Sequence, residues 1–216
     1  MIYEDSYRHK GMRSRLVAHL QKKGITDLAI LQAFGSVPRH FFIDTAFLEH
    51  AYEDKAFGIG EGQTISQPYT VAFQTQLLEV ERGNKVLEIG TGSGFQSSIL
   101  AELGARLYSV EVNRKLHNLA RQRLQQLNYQ ATLVCGDGTR GLQTYAPYDR
   151  ILVTAGAPVV PATLLEQLAT GGILVIPVGD EKLQKMLKLV KTGDKQLRKE
   201  EHGDFSFVKL KGEKGW

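Results

Sequence analysis

Apolar and polar positions along the chain follow two patterns that meet near residue 82. Upstream, apolar residues recur at helical spacing. Over residues 13–23, Leu16, Val17 and Leu20 share one face and Gly24 supplies a stop, which predicts a first helix. A second short helix is expected after Thr26 as N-cap, with Leu28, Leu31 and Phe34 on its buried side and Gly35 and Pro38 beyond its end. Residues 40–52 are rich in aromatic side chains. The stretch Gly58-Ile59-Gly60-Glu61-Gly62-Gln63 carries too many glycines for a regular element and reads as a loop. It runs into Thr64-Ile65-Ser66-Gln67-Pro68-Tyr69, after which Val71, Thr75 and Leu78 mark a helix with Pro68 near its first position.

Beyond Arg82-Gly83 the pattern changes to short apolar runs that end in glycine or an acid, each followed by a helical stretch. Strands are predicted at residues 86–89, 106–110, 131–135, 150–153 and 173–178, and helices at 96–103, 116–127 and 163–168. This alternation is the rhythm of an α/β, doubly wound, mainly parallel sheet. The tail differs: residues 186–191, 196–201 and 205–210, with a turn at Thr192-Gly193-Asp194, predict antiparallel strands at the sheet edge. The expected organisation is an N-terminal helical extension over residues 1–80, packed on a core over residues 81–216 as one compact unit.

Composition narrows the setting. A chain of 216 residues suffices for one substantial core and is short for two independent domains. The single cysteine, Cys135, cannot form an internal disulfide. The start Met1-Ile2-Tyr3-Glu4-Asp5 lacks the basic-then-apolar order of a signal peptide, so a cytoplasmic location is expected. The longest apolar run, residues 173–178, is far below the roughly 18 residues a membrane span needs. A net charge of +4 admits a nucleic-acid partner. The excess sits in residues 182–214 and 114–123, where the aromatic residues are few (Phe205 and Phe207), and reads as a solvated face. A monomer without nucleic acid or membrane is expected.

In an open α/β sheet a ligand lies at the carboxyl ends of the strands. After the first strand comes Glu88-Ile89-Gly90-Thr91-Gly92-Ser93-Gly94, where Gly90, Gly92 and Gly94 let a ligand approach the backbone and a helix N-terminus follows. That loop by itself admits two cofactors, a dinucleotide or S-adenosylmethionine. The dinucleotide fingerprint G-x-G-x-x-G places its last glycine at residue 95, which is Phe95. Glu88 would repel a pyrophosphate and suits an ammonium group. Glu111 ends the second strand, 21 residues beyond Gly90, and suits a pair of ribose hydroxyls. Asp137, in Gly136-Asp137-Gly138 after the third strand, could accept an adenine amino group. Together the three acids favour S-adenosylmethionine, with S-adenosylhomocysteine as product, on a Rossmann-like methyltransferase core. A nicotinamide-dependent oxidoreductase is the rival reading.

The acceptor is read partly by elimination. After the fourth strand, Val153-Thr154-Ala155-Gly156-Ala157-Pro158 offers no amide or carboxylate to orient an amine. No acid cluster there would hold magnesium, and the six histidines show no paired metal spacing, so no metal is expected. Cys135 lies in a strand without a Pro-Cys context and reads as a buried small side chain rather than a nucleophile. The acceptor therefore brings its own nucleophile, and a carboxylate, already ionised at pH 7, does so. Methyl transfer from a sulfonium to a carboxylate neutralises two opposite charges, so a cationic clamp would hold the ground state more tightly than the transition state. Neutral donors are preferable, and the hydroxyls of Thr64 and Ser66 at a helix start supply them. By itself Ser66 also fits a helix N-cap.

These residues resemble the protein-L-isoaspartate O-methyltransferases in their short bacterial form. The likeness rests on Gly60-Glu61-Gly62-Gln63-Thr64-Ile65-Ser66-Gln67-Pro68-Tyr69, on Val86-Leu87-Glu88-Ile89-Gly90-Thr91-Gly92-Ser93-Gly94, and on Tyr148-Asp149-Arg150-Ile151-Leu152-Val153-Thr154-Ala155. It continues through Gly171-Gly172-Ile173-Leu174-Val175-Ile176-Pro177-Val178-Gly179. The resemblance implies methyl transfer to the α-carboxylate of L-isoaspartyl residues in damaged proteins and peptides, the first step of repair through a succinimide. It implies Ser66 as the active-site hydroxyl, with Thr64, Ile65 and Gln67 beside the acceptor. Glu88, Gly90, Thr91, Gly92, Gly94, Glu111, Val112, Asp137 and Gly138 are implied as cofactor contacts. Two departures stand out: Phe57-Gly58-Ile59 replaces the usual Leu/Pro-Ile-Gly lead into the loop, and Lys209 stands where proline is common. The second leaves the C-terminal contacts unassigned. The alternative is a methyltransferase of the same cofactor acting on another acceptor, such as RNA.

Overall fold

The computed structural model describes residues 4–194 and 196–216; Met1, Ile2 and Tyr3, part of the start on which the signal-peptide reading rests, lie outside the described residues. Alternation of apolar residues builds the central sheet. Strand β3 (Lys85–Ile89) sends Val86 to one face and Leu87 and Ile89 to the other. Strand β6 (Tyr148–Val153) repeats this with Leu152 opposed to Ile151 and Val153, and β7 (Leu168–Gly179) with Val175 opposed to Leu174 and Ile176. A sheet apolar on both faces must be covered on both. One face is covered by α3 (Pro68–Leu78) and α4 (Phe95–Glu102) through Leu78 and Leu100. The other receives Leu164 of α6 (Ala162–Glu166) and Leu210 of the tail.

Among the described residues the sheet has seven strands in the order β5 (Ala131–Cys135), β4 (Arg106–Glu111), β3, β6, β7, β8 (Gln184–Gly193), β9 (Gln196–Phe205). Strands β3 to β7 run parallel, and β8 and β9 are antiparallel, as the tail pattern predicts. The chain moves outward from β3 to β5 and then returns to the opposite side of β3. The carboxyl ends of β3 and β6 are therefore neighbours whose following segments diverge, and a crevice opens between them.

The N-terminal helices α1 (Tyr7–Lys22) and α2 (Leu28–Ser36) bury Leu16, Leu20, Ile30 and Phe34 in a cluster with Phe95 and Ile99 of α4. The cap of α2 is Asp27 rather than Thr26, because the Asp27 carboxylate reaches two free amides, Ala29 N–H at 2.8 Å and Ile30 N–H at 3.2 Å. Leu28 consequently starts the helix on its outer side and is 68% exposed, not buried as expected.

Two further expectations are corrected. The glycine-rich stretch is a hairpin, β1 (Phe57–Gly60) paired antiparallel with β2 (Gln63–Ile65). Its glycines sit in the turn, where Gly60 and Gly62 take φ of +88° and +68° that other residues resist. Residues 205–210 do not form a third tail strand. Only Phe205 belongs to β9, and the following backbone leaves the sheet to bond Gly156: the Gly156 N–H donates to Val208 O and the Leu210 N–H to Gly156 O, both at 2.8 Å. The tail thus crosses the carboxyl ends of the strands.

Candidate active site

A cavity of about 240 Å³ occupies the crevice at the ends of β3, β4 and β6. Its floor is the glycine loop. The Gly90 N–H donates to Val110 O at 2.9 Å, the Thr154 N–H donates to Ile89 O at 3.0 Å, and the Thr154 hydroxyl donates to Gly90 O at 2.6 Å. Gly90 has φ of +98°, and a Cβ there would run into Thr154 Oγ1. Sterics and backbone conformation therefore both require glycine at 90.

A chain of hydroxyls holds this loop from behind. Ser109 Oγ donates to Glu88 Oε2 at 2.7 Å and Ser97 Oγ donates to the same oxygen at 2.5 Å. With the Ser109 proton so committed, Thr91 Oγ1 donates to Ser109 Oγ at 2.6 Å. Glu88 is completely buried toward α4 and is absent from the cavity wall, where an ammonium contact was expected. Its place follows from the strand period, which puts it on the same face as Val86. Burial pushes its carboxyl up to about 7, opposed by the two serine hydrogen bonds, and the charge of Glu111 adds to the rise.

Glu111 does face the cavity. Its Oε2 accepts the Gly92 N–H and its Oε1 the Asn113 N–H, each at 2.9 Å, so each oxygen keeps accepting capacity for a ligand hydroxyl. Val112 and Asn113 continue the wall beside it, and Gly138 lies opposite, where a Cβ would strike Ile89. This donor set fits the S-adenosylmethionine expected from the sequence: exposed glycine backbone, a diol acceptor, and apolar Ile89, Val110 and Leu210 for a flat ring.

Two other expected contacts lie off the wall. Asp137 is committed elsewhere: Oδ1 accepts the Thr139 N–H at 2.9 Å and hydroxyl at 2.7 Å, and Oδ2 accepts the Glu213 N–H at 2.8 Å. Burial would raise its pKa, but these bonds and the Arg140 charge hold the carboxyl below its ordinary range. Asp137 thus anchors the tail. Gly94 serves as the N-cap position of α4 and packs toward Ala120 and Leu124 of α5 (Arg114–Gln126).

Gln63, Thr64, Ile65 and Ser66 line the same cavity, and Val208, Lys209, Leu210 and Lys211 of the tail complete its rim. Ser66 is half-buried, and it is not the cap of α3. Gln67 occupies the cap position without a side-chain cap bond, and the Tyr69 N–H is taken instead by Asp54 Oδ1 at 2.8 Å. Gln67 itself is off the wall. The Ser66 carbonyl accepts from Arg39 Nη2 at 3.0 Å. Sequence reading missed the tail, Asn113 and Thr154. Thr154 carried a signal as the first residue after a strand, whereas nothing periodic marked residues 208–211.

Lys115 pairs with Glu61 at 2.9 Å and the rim lysine Lys209 with Glu181 at 2.7 Å, while Lys211, also on the rim, lies near enough to Glu61 to help hold that carboxyl below its ordinary range. Away from the cavity, folding gathers Asp5, His9 and His40 with ligand atoms within 4.8 Å, a grouping invisible in sequence spacing. Each already has a protein partner. Asp5 binds Arg13, His40 Nδ1 meets the Tyr52 hydroxyl at 2.7 Å, and His9 Nδ1 lies 3.1 Å from Ser6 Oγ. Among the described residues no helix is long and apolar enough to cross a membrane.

Residues 11–215 match the family model described as protein-L-isoaspartate(D-aspartate) O-methyltransferase. The chain is 60% identical over 213 residues to the protein-L-isoaspartate O-methyltransferase of Cytophaga hutchinsonii, covering 99% of this chain and 96% of the relative. It is 47% identical to that of Dictyoglomus thermophilum, covering 97% and 94%. A solved protein-L-isoaspartate O-methyltransferase superimposes with a TM-score of 0.85 at 31% identity, over 94% of this chain and 67% of that one. A putative enzyme of this kind from Plasmodium falciparum, solved with S-adenosyl-L-homocysteine, shares the fold with a TM-score of 0.81 at 23% identity, over 92% and 98%.

Two outcomes follow for the cavity floor. Gly90→Ala is expected to weaken S-adenosylhomocysteine binding by about tenfold or more in calorimetry, the equivalent of about 1.4 kcal/mol of strain; unchanged affinity would contradict the packing against Thr154. For Glu88, the folded carboxyl keeps its proton to about 7, whereas the ordinary value is 4.5. The folded state therefore binds more protons between these values, and stability falls as pH rises through that window. Urea denaturation at about pH 5 and about pH 8 should show a loss in the native chain that Glu88→Gln lacks, and an equal pH dependence in both would refute it.

Proposed function

The chain belongs to the protein-L-isoaspartate(D-aspartate) O-methyltransferase family, and from its own residues we propose how the reaction of that family is carried out here. The enzyme transfers a methyl group from S-adenosylmethionine to the α-carboxylate of L-isoaspartyl residues in proteins and peptides. The resulting ester closes to a succinimide that can reopen to aspartate, which makes the transfer a repair step. The observation that carries the proposal is the shared cavity: the Thr64–Ser66 segment and the glycine loop line one space.

S-adenosylmethionine supplies an electrophilic methyl on a sulfonium. Gly90, Gly92, Glu111, Val112, Asn113 and Gly138 hold it, Glu111 taking the ribose hydroxyls. Thr91 lines the cavity with them, while Glu88 and Asp137 support that wall from outside rather than touching the cofactor. The Ser66 hydroxyl donates to the acceptor carboxylate and turns one oxygen toward the methyl group, with Thr64 and Ile65 flanking the peptide. Ser66 is an orienting group and forms no bond to the acceptor, because the carboxylate is itself the nucleophile. The pairing of Lys209 with Glu181 and of Lys115 with Glu61 supports this division of labour, and Lys211, the remaining rim lysine, sets its charge beside Glu61. An unpaired cation on the carboxylate would stabilise the charged reactants more than the charge-depleted transition state.

A cytoplasmic monomer without a nucleic-acid partner belongs to the same reading, since the basic residues lie among acids and the aromatic residues between them, Phe205 and Phe207, pack against the core. The test uses labelled S-adenosylmethionine and two peptides that differ only in an isoaspartyl or an aspartyl linkage. Base-labile label on the isoaspartyl peptide alone is expected; equal labelling of both, or of neither, would contradict the acceptor. Ser66→Ala is expected to bind S-adenosylhomocysteine normally and to lose about tenfold to hundredfold in kcat/KM, the range for one hydrogen bond to a charged group. Loss of cofactor affinity with an unchanged rate would reverse these roles.

A further inference from the structure

The residue at the cap of an α-helix commonly turns a side-chain oxygen onto the free N–H groups of the first turn, and Gln67, directly after Ser66, holds that position without doing so. Here that duty falls to another segment. Asp54 Oδ1 accepts the Tyr69 N–H at 2.8 Å, from 15 residues upstream, and its other oxygen pairs with Lys23 Nζ at 2.9 Å. Burial would raise the Asp54 carboxyl, but Lys23, the Tyr69 N–H and the Gln67 side chain hold it ionised and below its ordinary range. With the cap supplied in this way, Ser66 Oγ makes no hydrogen bond to another described residue.

On the other side of Ser66 lies Arg39, which is 1% exposed. Its Nε donates to Ala51 O at 3.0 Å, and its Nη2 donates to Lys55 O at 3.2 Å and to Ser66 O at 3.0 Å. The guanidinium also lies 4.8 Å from the ring centroid of Phe95, which begins α4 directly after the glycine loop. One planar, permanently charged group thus ties together the segment bearing Asp54, the backbone of Ser66 and the first residue beyond the methyl-donor loop. Neither Arg39 nor Asp54 lines the cavity.

Resting on the reading of Ser66 given above, we propose that Arg39 and Asp54 are positioning residues for the transfer. Asp54 takes the cap of α3 so that the Ser66 hydroxyl stays available to the acceptor carboxylate, and Arg39 sets the Ser66 backbone against the glycine loop. Loss of Asp54 lets the Ser66 hydroxyl fall back onto the helix. Loss of the Arg39 fork releases the Ser66 backbone while a lysine at that place retains the charge.

A double-mutant cycle tests this. Asp54→Ala and Arg39→Lys are made singly and each together with Ser66→Ala, and kcat, KM for an isoaspartyl peptide, S-adenosylhomocysteine affinity and the denaturation midpoint are measured. In the native background, Asp54→Ala is expected to lower kcat about tenfold with cofactor affinity held within about twofold; in the Ser66→Ala background its further effect shrinks below about twofold. Arg39→Lys follows the same pattern, and if that variant fails to fold, the Asp54 cycle decides alone. Independent, multiplying losses from Asp54→Ala and Ser66→Ala would overturn the positioning role and leave the Ser66 reading standing. A loss seen only in stability or cofactor affinity would overturn it as well. If Ser66→Ala alone costs no activity, both readings fall.

Discussion

The return of the chain from β5 to β6 makes two parallel strands neighbours while the segments that follow them part, and the site depends on that divergence. The backbones at the parting are close enough for the Thr154 hydroxyl to reach Gly90 O at 2.6 Å, which leaves room for hydrogen only at Gly90. The strict glycine, the hydroxyl chain behind it and the cavity in front are consequences of one packing decision. The N-terminal helices add what the sheet cannot. Phe34 of α2 and Phe42, in the short turn beyond it, pack against Phe95 and tie the N-terminal part to the helix that starts behind the glycine loop.

The strands β3 to β7 were legible because buried parallel strands are short apolar runs ending at functional turns, and Glu111 was legible because it ends such a run. Glu88 and Asp137 carried the same signal and do different work. An acid at a strand end can face a ligand, a helix or a neighbouring backbone, and only the period of the strand and the path of the tail decide which. Glu88 shares the face of Val86 and so meets Ser97, while Asp137 meets the Glu213 amide, 76 residues away. The hairpin was hidden for another reason. Composition counts Gly60 and Gly62 against regular structure, whereas a tight turn needs such residues to pair Phe57 with Ile65. The tail was hidden because its contacts are made by backbone at Gly156, which leaves no pattern in side chains.

In the proposed reaction, electrostatics governs the acceptor side more than shape does. Charge disappears as a methyl leaves a sulfonium for a carboxylate, so the useful protein groups are neutral and already oriented. Exposed ion pairs such as Lys115 with Glu61 add little to stability, yet they draw cations near the rim onto acids. A buried cation lies off the cavity wall: Arg39 directs Nε and Nη2 to backbone carbonyls. In the proposed positioning roles, Asp54 takes the Tyr69 N–H and the Ser66 hydroxyl stays free for the acceptor.

The most direct measurement is a crystal structure of the enzyme with S-adenosylhomocysteine and an isoaspartyl peptide. The Ser66 hydroxyl should lie within hydrogen-bond distance of the α-carboxylate, whose second oxygen points at the cofactor sulfur, with Tyr69 N–H still on Asp54. A carboxylate seated elsewhere in the cavity, or Ser66 turned onto the first turn of α3 in the complex, would contradict it.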